Sequence, residues 1–191
     1  MNKIILASNS PRRRQLLAEA GYQFEAINTD FDETFSEDLS PAEVAEHLAA
    51  EKNNFYRHQF ADEILITSDT IVVKDDHILG KPADYEDAVN MLEKLSGVSH
   101  LVISGVCISD RDRQFTFHDT TQVFFDPLSN QEIKYYIDTC KPYDKAGAYG
   151  IQDWIGLTKI RKIEGSYFNV MGLPIHPLYH LLKEEFGVTP Y

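Results

Sequence analysis

The 191-residue chain is long enough for one domain with a substantial core, since 43% of its residues are hydrophobic. Its 18 basic and 30 acidic side chains give a net charge of −12, which disfavours a basic surface that binds nucleic acid. Two cysteines without CxxC spacing support neither a zinc site nor a disulfide framework, and the lack of a signal peptide or a long apolar run predicts a soluble, cytoplasmic protein.

The chain opens with a short apolar strand, a polar turn and a helix that begins at Pro11. Ser10 stands at the N-cap position, and Gly21 follows the expected end of the helix. A helix N-terminus attracts anions because its N–H groups lack partners and its dipole is positive there. The arginines at 12–14 add cationic forks that suit phosphate. The stretch therefore predicts either a phosphate site or a capped surface helix with solvated arginines.

The rest of the chain predicts alternating strands and helices. Expected after the first helix are a strand at 24–27, an acidic loop at 28–39, a helix from the capping box at 40–43 to about 58, a buried strand at 64–73, a hairpin return at 78–79, a helix at 85–95, a long hairpin from 100–109 to 114–125, a helix from 130 to about 139, a strand at 157–163, a turn at 165–169 and a final helix to 186. Expected on the apolar side of the second helix are Val44, Leu48 and Phe55. This alternation, with an antiparallel hairpin in the middle, predicts an α/β fold with a mixed sheet.

Asp69 is the most informative single residue, because it lies inside an apolar strand. A carboxylate there is costly unless it is paired, hydrogen-bonded or bound to a metal. With Glu33 of the acidic loop it predicts a magnesium site, since magnesium is usually held by one or two carboxylates plus substrate phosphates. The alternatives are a carboxylate that accepts backbone N–H bonds at a strand end and, for Glu33, a solvated loop acid.

Three further side chains are candidates for substrate contacts. Lys81 lies in a rigid turn between glycine and proline, and Lys52 lies in the middle of a helix. Gln152 closes the glycine-rich loop at 144–152, where its amide has the paired donor and acceptor that a uracil or thymine edge needs. Taken singly, each lysine is better explained as a solvated surface residue, and the amide is at least as well explained by bonds to the loop backbone.

Five motifs spread along the chain resemble those of the Maf family of nucleoside triphosphate pyrophosphatases. They are ASNSPRR at 7–13, SDTIV at 68–72, LGKP at 79–82, DKAGAYGIQ at 144–152 and GSYFNVMGLP at 165–174. Ser68 departs from the pattern, because the family more often has alanine there. The resemblance implies one Maf-like domain over 1–191, built as a mixed β-sheet with flanking helices in two lobes around a cleft, similar to inosine triphosphate pyrophosphatases.

The resemblance also implies an activity: hydrolysis of dTTP and UTP, or of modified pyrimidine nucleotides, to the monophosphate and pyrophosphate. Asp69 matches the family's proton acceptor. The specificity positions of the dTTP/UTP branch match Arg12, Thr70 and Gln152. The polar positions that line the family's cleft match Ser8, Arg13, Glu33, Lys52 and Lys81.

The mechanism that we predict combines these residues. Ser8, Ser10 and the helix N–H groups hold phosphate oxygens together with Arg12 and Arg13. Asp69 and Glu33 bind Mg²⁺ or Mn²⁺ and prepare the water, and Lys52 and Lys81 neutralise the departing pyrophosphate.

Two other functions remain open at this point. One is a pyrophosphatase with a preference for purine or modified bases, and the other is a nucleotide-binding regulator of septum formation in which hydrolysis is incidental. The expected partner is the nucleoside triphosphate, with no nucleic acid and no membrane, and a homodimer is left open.

Overall fold

The structure is a computed structural model of the chain, and it describes residues 3–31, 34–36 and 38–191. The strands are β1 (Ile4–Ala7), β2 (Phe24–Ile27), β3 (Ile64–Lys74), β4 (His77–Leu79), β5 (Ser99–Ser109), β6 (Gln114–Phe125) and β7 (Ile160–Glu164). The helices are α1 (Pro11–Glu19), α2 (Pro41–Arg57), α3 (Tyr85–Leu95), α4 (Asn130–Cys140), α5 (Trp154–Lys159), α6 (Tyr167–Met171) and α7 (Ile175–Glu184), with a 3₁₀ turn at Ala146–Ala148.

The described strands form one mixed sheet in the order β2-β1-β3-β5-β6-β7, with β4 paired to β3. β1 is parallel to both β2 and β3, whereas β4 and β7 are antiparallel to their neighbours. The predicted α/β class, with a mixed sheet and flanking helices, is confirmed.

The helix starts follow from local chemistry that the sequence displays. Four side chains each accept a hydrogen bond from the backbone N–H three residues later, and they are Ser10, Ser40, Asp84 and Ser129. Such caps satisfy N–H groups that a helix leaves without partners. The N-terminal boundaries predicted from these residues are therefore confirmed.

The chain divides into two compact units. The first comprises Met1–Asp69, Ser104–Asp119 and Gly172–Tyr191, and the second comprises Thr70–Ile103 and Thr120–Met171. The cleft that the family resemblance implies stays a prediction.

The first unit is built on three parallel strands in the order β2-β1-β3. Ile5, Ala7 and Leu65 pack with Tyr56 of α2 in a buried cluster. Helix α2 also comes so close to β5 that a Cβ on Gly105 would lie 2.0 Å from the carbonyl oxygen of Ala45. Only glycine fits at that contact, so α2 lies directly against the sheet backbone.

The second unit has its own core between helices α3 and α4 and the sheet. Leu92, Leu95, Phe125, Ile133 and Tyr136 are among its fully buried members. The loop before α5 packs closely, since a Cβ on Gly147 would lie 3.0 Å from the side chain of Val72. This close approach is what the glycine-rich composition of the loop predicts.

The predicted strand at 157–163 is wrong in its first half. Residues Trp154–Lys159 form α5, and the strand covers only Ile160–Glu164. Ile155 is fully buried, whereas Leu157 is 81% exposed. A strand would turn these two residues to the same face, so the burial of Ile155 in the core of the second unit favours the helical turn.

The predicted turn at 165–169 is also wrong in part. Gly165 does turn the chain, with φ of +128°, but Tyr167–Met171 form the short helix α6. Ser166 starts this helix, because its hydroxyl accepts a hydrogen bond from the N–H of Asn169 at 3.3 Å.

The predicted apolar side of α2 contains one error. Val44 and Leu48 are buried, but Phe55 is 50% exposed and contacts Phe31 at the surface. The buried stripe continues instead through Lys52 and Tyr56, four residues apart. Because a lysine lies on the buried side of α2, the pattern of hydrophobic residues alone does not predict which side of the helix is buried.

Candidate functional site

The site in the first unit begins where the pairing of β1 with β3 ends. The last pair in the ladder joins Ala7 to Thr67, and the polar residues at 8–10 and 68–69 follow it on the two strands. The order β2-β1-β3 means that the chain leaves β1 towards one neighbour and later returns to its other side. Such switch points are where open α/β sheets bind ligands.

The turn after β1 is held in one shape by its own hydrogen bonds. The N–H of Ser8 donates to Ile27 of β2 at 3.1 Å, and the hydroxyl of Ser8 accepts from the N–H of Ser10 at 3.2 Å. Arg14 donates to the carbonyl of Ser8 through two guanidinium nitrogens, at 3.1 and 2.8 Å. The turn therefore presents a fixed α1 N-terminus, which suits phosphate.

Asp69 forms a buried ion pair with Lys52. The Lys52 Nζ lies 2.6 Å from Asp69 Oδ2, and only 5% of Lys52 and 6% of Asp69 are exposed. A buried carboxylate is tolerated when it is paired in this way. The interpretation of Lys52 as a solvated surface residue is therefore wrong, and its predicted position among polar site residues agrees with the observed contact.

Two polar contacts set the position of α2, and hence of Lys52, against β3. The hydroxyl of Thr67 donates to the carbonyl of Ala49 at 2.7 Å, and the amide of Asn53 donates to the carbonyl of Leu65 at 3.1 Å. Asn53 also donates to Cys107 of β5 at 3.3 Å. Because Ala49 and Asn53 flank Lys52 on α2, these contacts hold the Lys52 backbone in place against β3.

Arg13 donates to two backbone carbonyls, and its predicted contact with phosphate stays a prediction. Its Nε donates to the carbonyl of Gly172 at 2.7 Å, and its Nη1 donates to the carbonyl of Ser68 at 2.6 Å. Arg12 beside it is half-buried. Within the first unit the structure thus brings together five predicted site residues, which are Ser8, Ser10, Arg13, Lys52 and Asp69.

Thr70, Lys81 and Gln152 belong to the second unit. Thr70 is half-buried on β3, whereas Lys81 and Gln152 are exposed on loops. The two loops are joined, because the N–H of Gly147 donates to the carbonyl of Gly80 at 3.0 Å.

The loop that carries Gln152 is fixed by Tyr136. The Tyr136 hydroxyl donates to Asp153 at 2.8 Å and accepts from the N–H of Gly150 at 3.0 Å. Burial and the neighbouring Asp153 carboxylate raise the pKa of Tyr136, so its hydroxyl stays a donor. These two hydrogen bonds hold the loop on both sides of Gln152.

Of the two predicted metal ligands, Asp69 and Glu33, the structure describes only Asp69. Glu33 lies outside the described residues, so its predicted ligation stays a prediction. Among the residues that the structure describes, no three His, Cys, Asp or Glu side chains converge on one point. Magnesium does not need such a group when substrate phosphates complete its shell, so the buried carboxylate of Asp69 fits an ion bound together with substrate.

Sequence reasoning missed the residues that support the site. Asn53 and Thr67 are fully buried, and Tyr136 is fully enclosed beneath the loop at 144–153. A polar residue on the buried side of a helix is a signal that Asn53 does display. Tyr136 gives no such signal, because its partners at 150 and 153 are distant in the chain until the fold brings them together.

Comparison with known proteins gives a consistent result over nearly the whole chain. The sequence model of a family described as "Maf-like protein" matches residues 3–185. A protein of Phocaeicola vulgatus named "dTTP/UTP pyrophosphatase" is 50% identical over 184 residues, which cover 95% of each chain. Proteins of the same name from Bacteroides thetaiotaomicron, covering 95% of each chain, and Christiangramia forsetii, covering 96% of this chain and 94% of that protein, are 48% and 45% identical.

One solved structure, of the Staphylococcus aureus Ham1 protein, is 16% identical, with a TM-score of 0.49 over 65% of this chain and 72% of that chain. That likeness is too distant to support any statement about this site. No helix in the described ranges has the length and apolar character needed to cross a membrane.

Proposed function

The chain belongs to the Maf family, and on that premise we propose that it hydrolyses dTTP and UTP to the nucleoside monophosphate and pyrophosphate. The name of relatives that are 45–50% identical over nearly their full length supports this substrate class. The observation that carries the proposal is the buried ion pair of Asp69 with Lys52, next to the fixed turn at the start of α1.

The triphosphate is bound by the turn and the helix start. The hydroxyls of Ser8 and Ser10 and the N–H groups at the α1 N-terminus donate to phosphate oxygens, and Arg12 adds positive charge. Lys81 neutralises charge that builds up on the departing pyrophosphate. Most of the catalysis then comes from positioning and electrostatics, as in other phosphoryl transfers.

Asp69 accepts the proton of the attacking water. Lys52 orients the carboxylate, because its ammonium group lies 2.6 Å from one carboxylate oxygen. The water attacks phosphorus in line with the leaving pyrophosphate. A Mg²⁺ or Mn²⁺ ion held by Asp69 and Glu33 would supply neutralisation of the phosphate charge.

The base is selected by Arg12, Thr70 and Gln152. The Gln152 amide can donate and accept at once, which matches the adjacent acceptor and donor on uracil and thymine.

The 191 residues act as a single functional domain made of the two units. The net charge of −12 supports a small-molecule partner rather than nucleic acid. The substrates are cytoplasmic metabolites, so we place the activity in the cytoplasm.

A panel of nucleoside triphosphates tests the proposal, with pyrophosphate and orthophosphate measured separately in the presence of Mg²⁺ or Mn²⁺. We expect dTTP and UTP to give pyrophosphate with no orthophosphate. A preference for purines would contradict the role of Gln152. Tight binding of dTTP or UTP without turnover would contradict the enzyme and favour a nucleotide-binding regulator.

A further inference from the structure

Arg13 connects three segments of the first unit that are far apart in the chain. It lies on α1, and its guanidinium group donates to Ser68 of β3 at 2.6 Å and to Gly172 before α7 at 2.7 Å. The hydroxyl of Ser68 also donates to the carbonyl of Gly172, at 3.2 Å. Two of the three guanidinium nitrogens are thus used to hold backbone carbonyls.

The carbonyl of Ser68 needs such a donor because of where the strand ladder stops. β1 ends at Ala7, opposite Thr67, so the β1 ladder provides no pairing at Ser68. Ser68 is fully buried, and a buried carbonyl without a partner is costly. Arg13 therefore supplies the hydrogen-bond donor that β1 no longer provides, at the residue immediately before Asp69.

We propose that Arg13 is a positioning residue, which fixes the backbone at Asp69 by holding the carbonyls of Ser68 and Gly172, and that this is its main contribution to turnover. The inference rests on the proposed function, in which Asp69 accepts the proton. It revises the prediction from the sequence that Arg13 acts by holding phosphate.

Substitution by lysine separates the two roles. Lysine keeps the positive charge that would attract phosphate, but its ammonium group cannot reproduce a planar fork that reaches two carbonyls. A matched control exists in the same unit. Arg57 donates to the carbonyls of Ser109 at 2.9 Å and Glu63 at 2.8 Å, and it has no contact with the segment at Asp69 among the described contacts.

The experiment compares Arg13→Lys with Arg57→Lys, well below the melting temperature of each variant. The readouts are kcat for UTP and the Kd of α,β-methylene-UTP, which is not hydrolysed between its α- and β-phosphates. For Arg13→Lys we expect kcat to fall about 10²-fold, the order that a misplaced catalytic group costs, with Kd changed less than threefold. For Arg57→Lys we expect both values to stay within threefold of wild type.

Two results would overturn the proposal. A rise in Kd of tenfold or more for Arg13→Lys, with kcat retained at saturation, would make Arg13 a phosphate ligand. A kcat within threefold of wild type would make its contacts merely structural.

A readout without substrate separates this proposal from the proposed function. Hydrogen–deuterium exchange of the peptide that covers 65–72 should become at least threefold faster in Arg13→Lys and stay unchanged in Arg57→Lys. Equal exchange in wild type and Arg13→Lys would refute the positioning role of Arg13 even if UTP is a good substrate. Faster exchange in a protein that does not hydrolyse UTP would refute the proposed substrate and leave the positioning role of Arg13 supported.

Discussion

The positions of the charged residues Asp69 and Lys52 are explained by their contact with each other. Asp69 and Lys52 are both buried, and each makes the burial of the other tolerable. The sequence identifies Asp69 as unusual because a carboxylate interrupts an apolar strand. The family motifs also mark Lys52, but nothing in the sequence predicts its burial or its pairing with Asp69, because a lysine in a helix is normally solvated and its partner is 17 residues away.

The same limit applies to Arg13. An arginine in the first turn of a helix predicts an anion site from local chemistry alone. Its bond to Gly172 spans 159 residues of chain, and no local pattern predicts it. The residue types of the site could be predicted from the sequence, whereas the division between residues that touch substrate and residues that hold others in place could not.

His100 gives a prediction at this scale, because it is buried in the second unit. Its Nε2 lies 2.7 Å from the hydroxyl of Tyr149, and its Nδ1 has no hydrogen-bond partner among the described residues. Burial, with a smaller contribution from the charge of Lys74, lowers the pKa of His100 to about 4. The imidazole is therefore neutral in the folded protein at neutral pH.

The unfolded chain binds a proton at His100 below its ordinary pKa of 6.5, whereas the folded protein does so only below about 4. The stability that His100 contributes is thus fully present above pH 6.5 and is lost as the pH falls towards 4. The unfolding free energy lost in this way reaches about 3 kcal/mol near pH 4. Urea unfolding of wild type and His100→Gln between pH 7 and 4.5 measures it: the variant should lose less stability on acidification.

Tyr149→Phe is the control for this comparison. It removes the hydroxyl partner but leaves the imidazole buried beside Phe125, so most of the wild-type pH dependence should remain. Parallel pH profiles for wild type and His100→Gln would show that another group is responsible.

Among the helices and strands, the sequence predicts the boundaries that depend on local contacts such as helix caps. The caps at Ser40, Asp84 and Ser129 fix helix starts within a few residues, and these boundaries are confirmed. The errors at α5 and α6 lie where short segments are decided by packing with distant parts of the chain. Ile155 is buried in a core formed mostly by residues from other parts of the chain. That burial outweighs the strand-like composition of 157–163.

Helix α2 is the element on which the site depends most, and Gly105 sets how close it can come to the sheet. A Cβ at 105 would lie 2.0 Å from the carbonyl oxygen of Ala45 and 2.3 Å from its carbon, so Gly105→Ala must push α2 away. We expect a loss of about 3 kcal/mol in unfolding free energy, typical of an overpacked core. Because α2 carries Lys52, turnover of UTP should fall as well.

Gly80→Ala is the matched control for stability, since a Cβ there meets nothing within 4 Å. Its unfolding free energy should stay within about 0.5 kcal/mol of wild type. If Gly105→Ala were as stable as Gly80→Ala, the close packing of α2 on β5 would be refuted.

At the scale of the whole molecule, an acidic chain concentrates cations where an anionic substrate is expected. Against a net charge of −12, the opening helix carries three adjacent arginines in its first turn. Local positive charge of this kind attracts phosphate despite the overall field. The five motifs of the family are spread along the chain and lie in both units.

The proposed mechanism depends on Asp69, which accepts the proton in cleavage between the α- and β-phosphates. The most direct measurement is ³¹P NMR of UTP incubated with Mg²⁺ and either wild type or Asp69→Asn, with the fold of both checked by circular dichroism. We predict equal amounts of UMP and pyrophosphate from wild type, and a folded Asp69→Asn that forms neither at a measurable rate. Orthophosphate and UDP from wild type, or near-normal turnover by Asp69→Asn, would contradict the account.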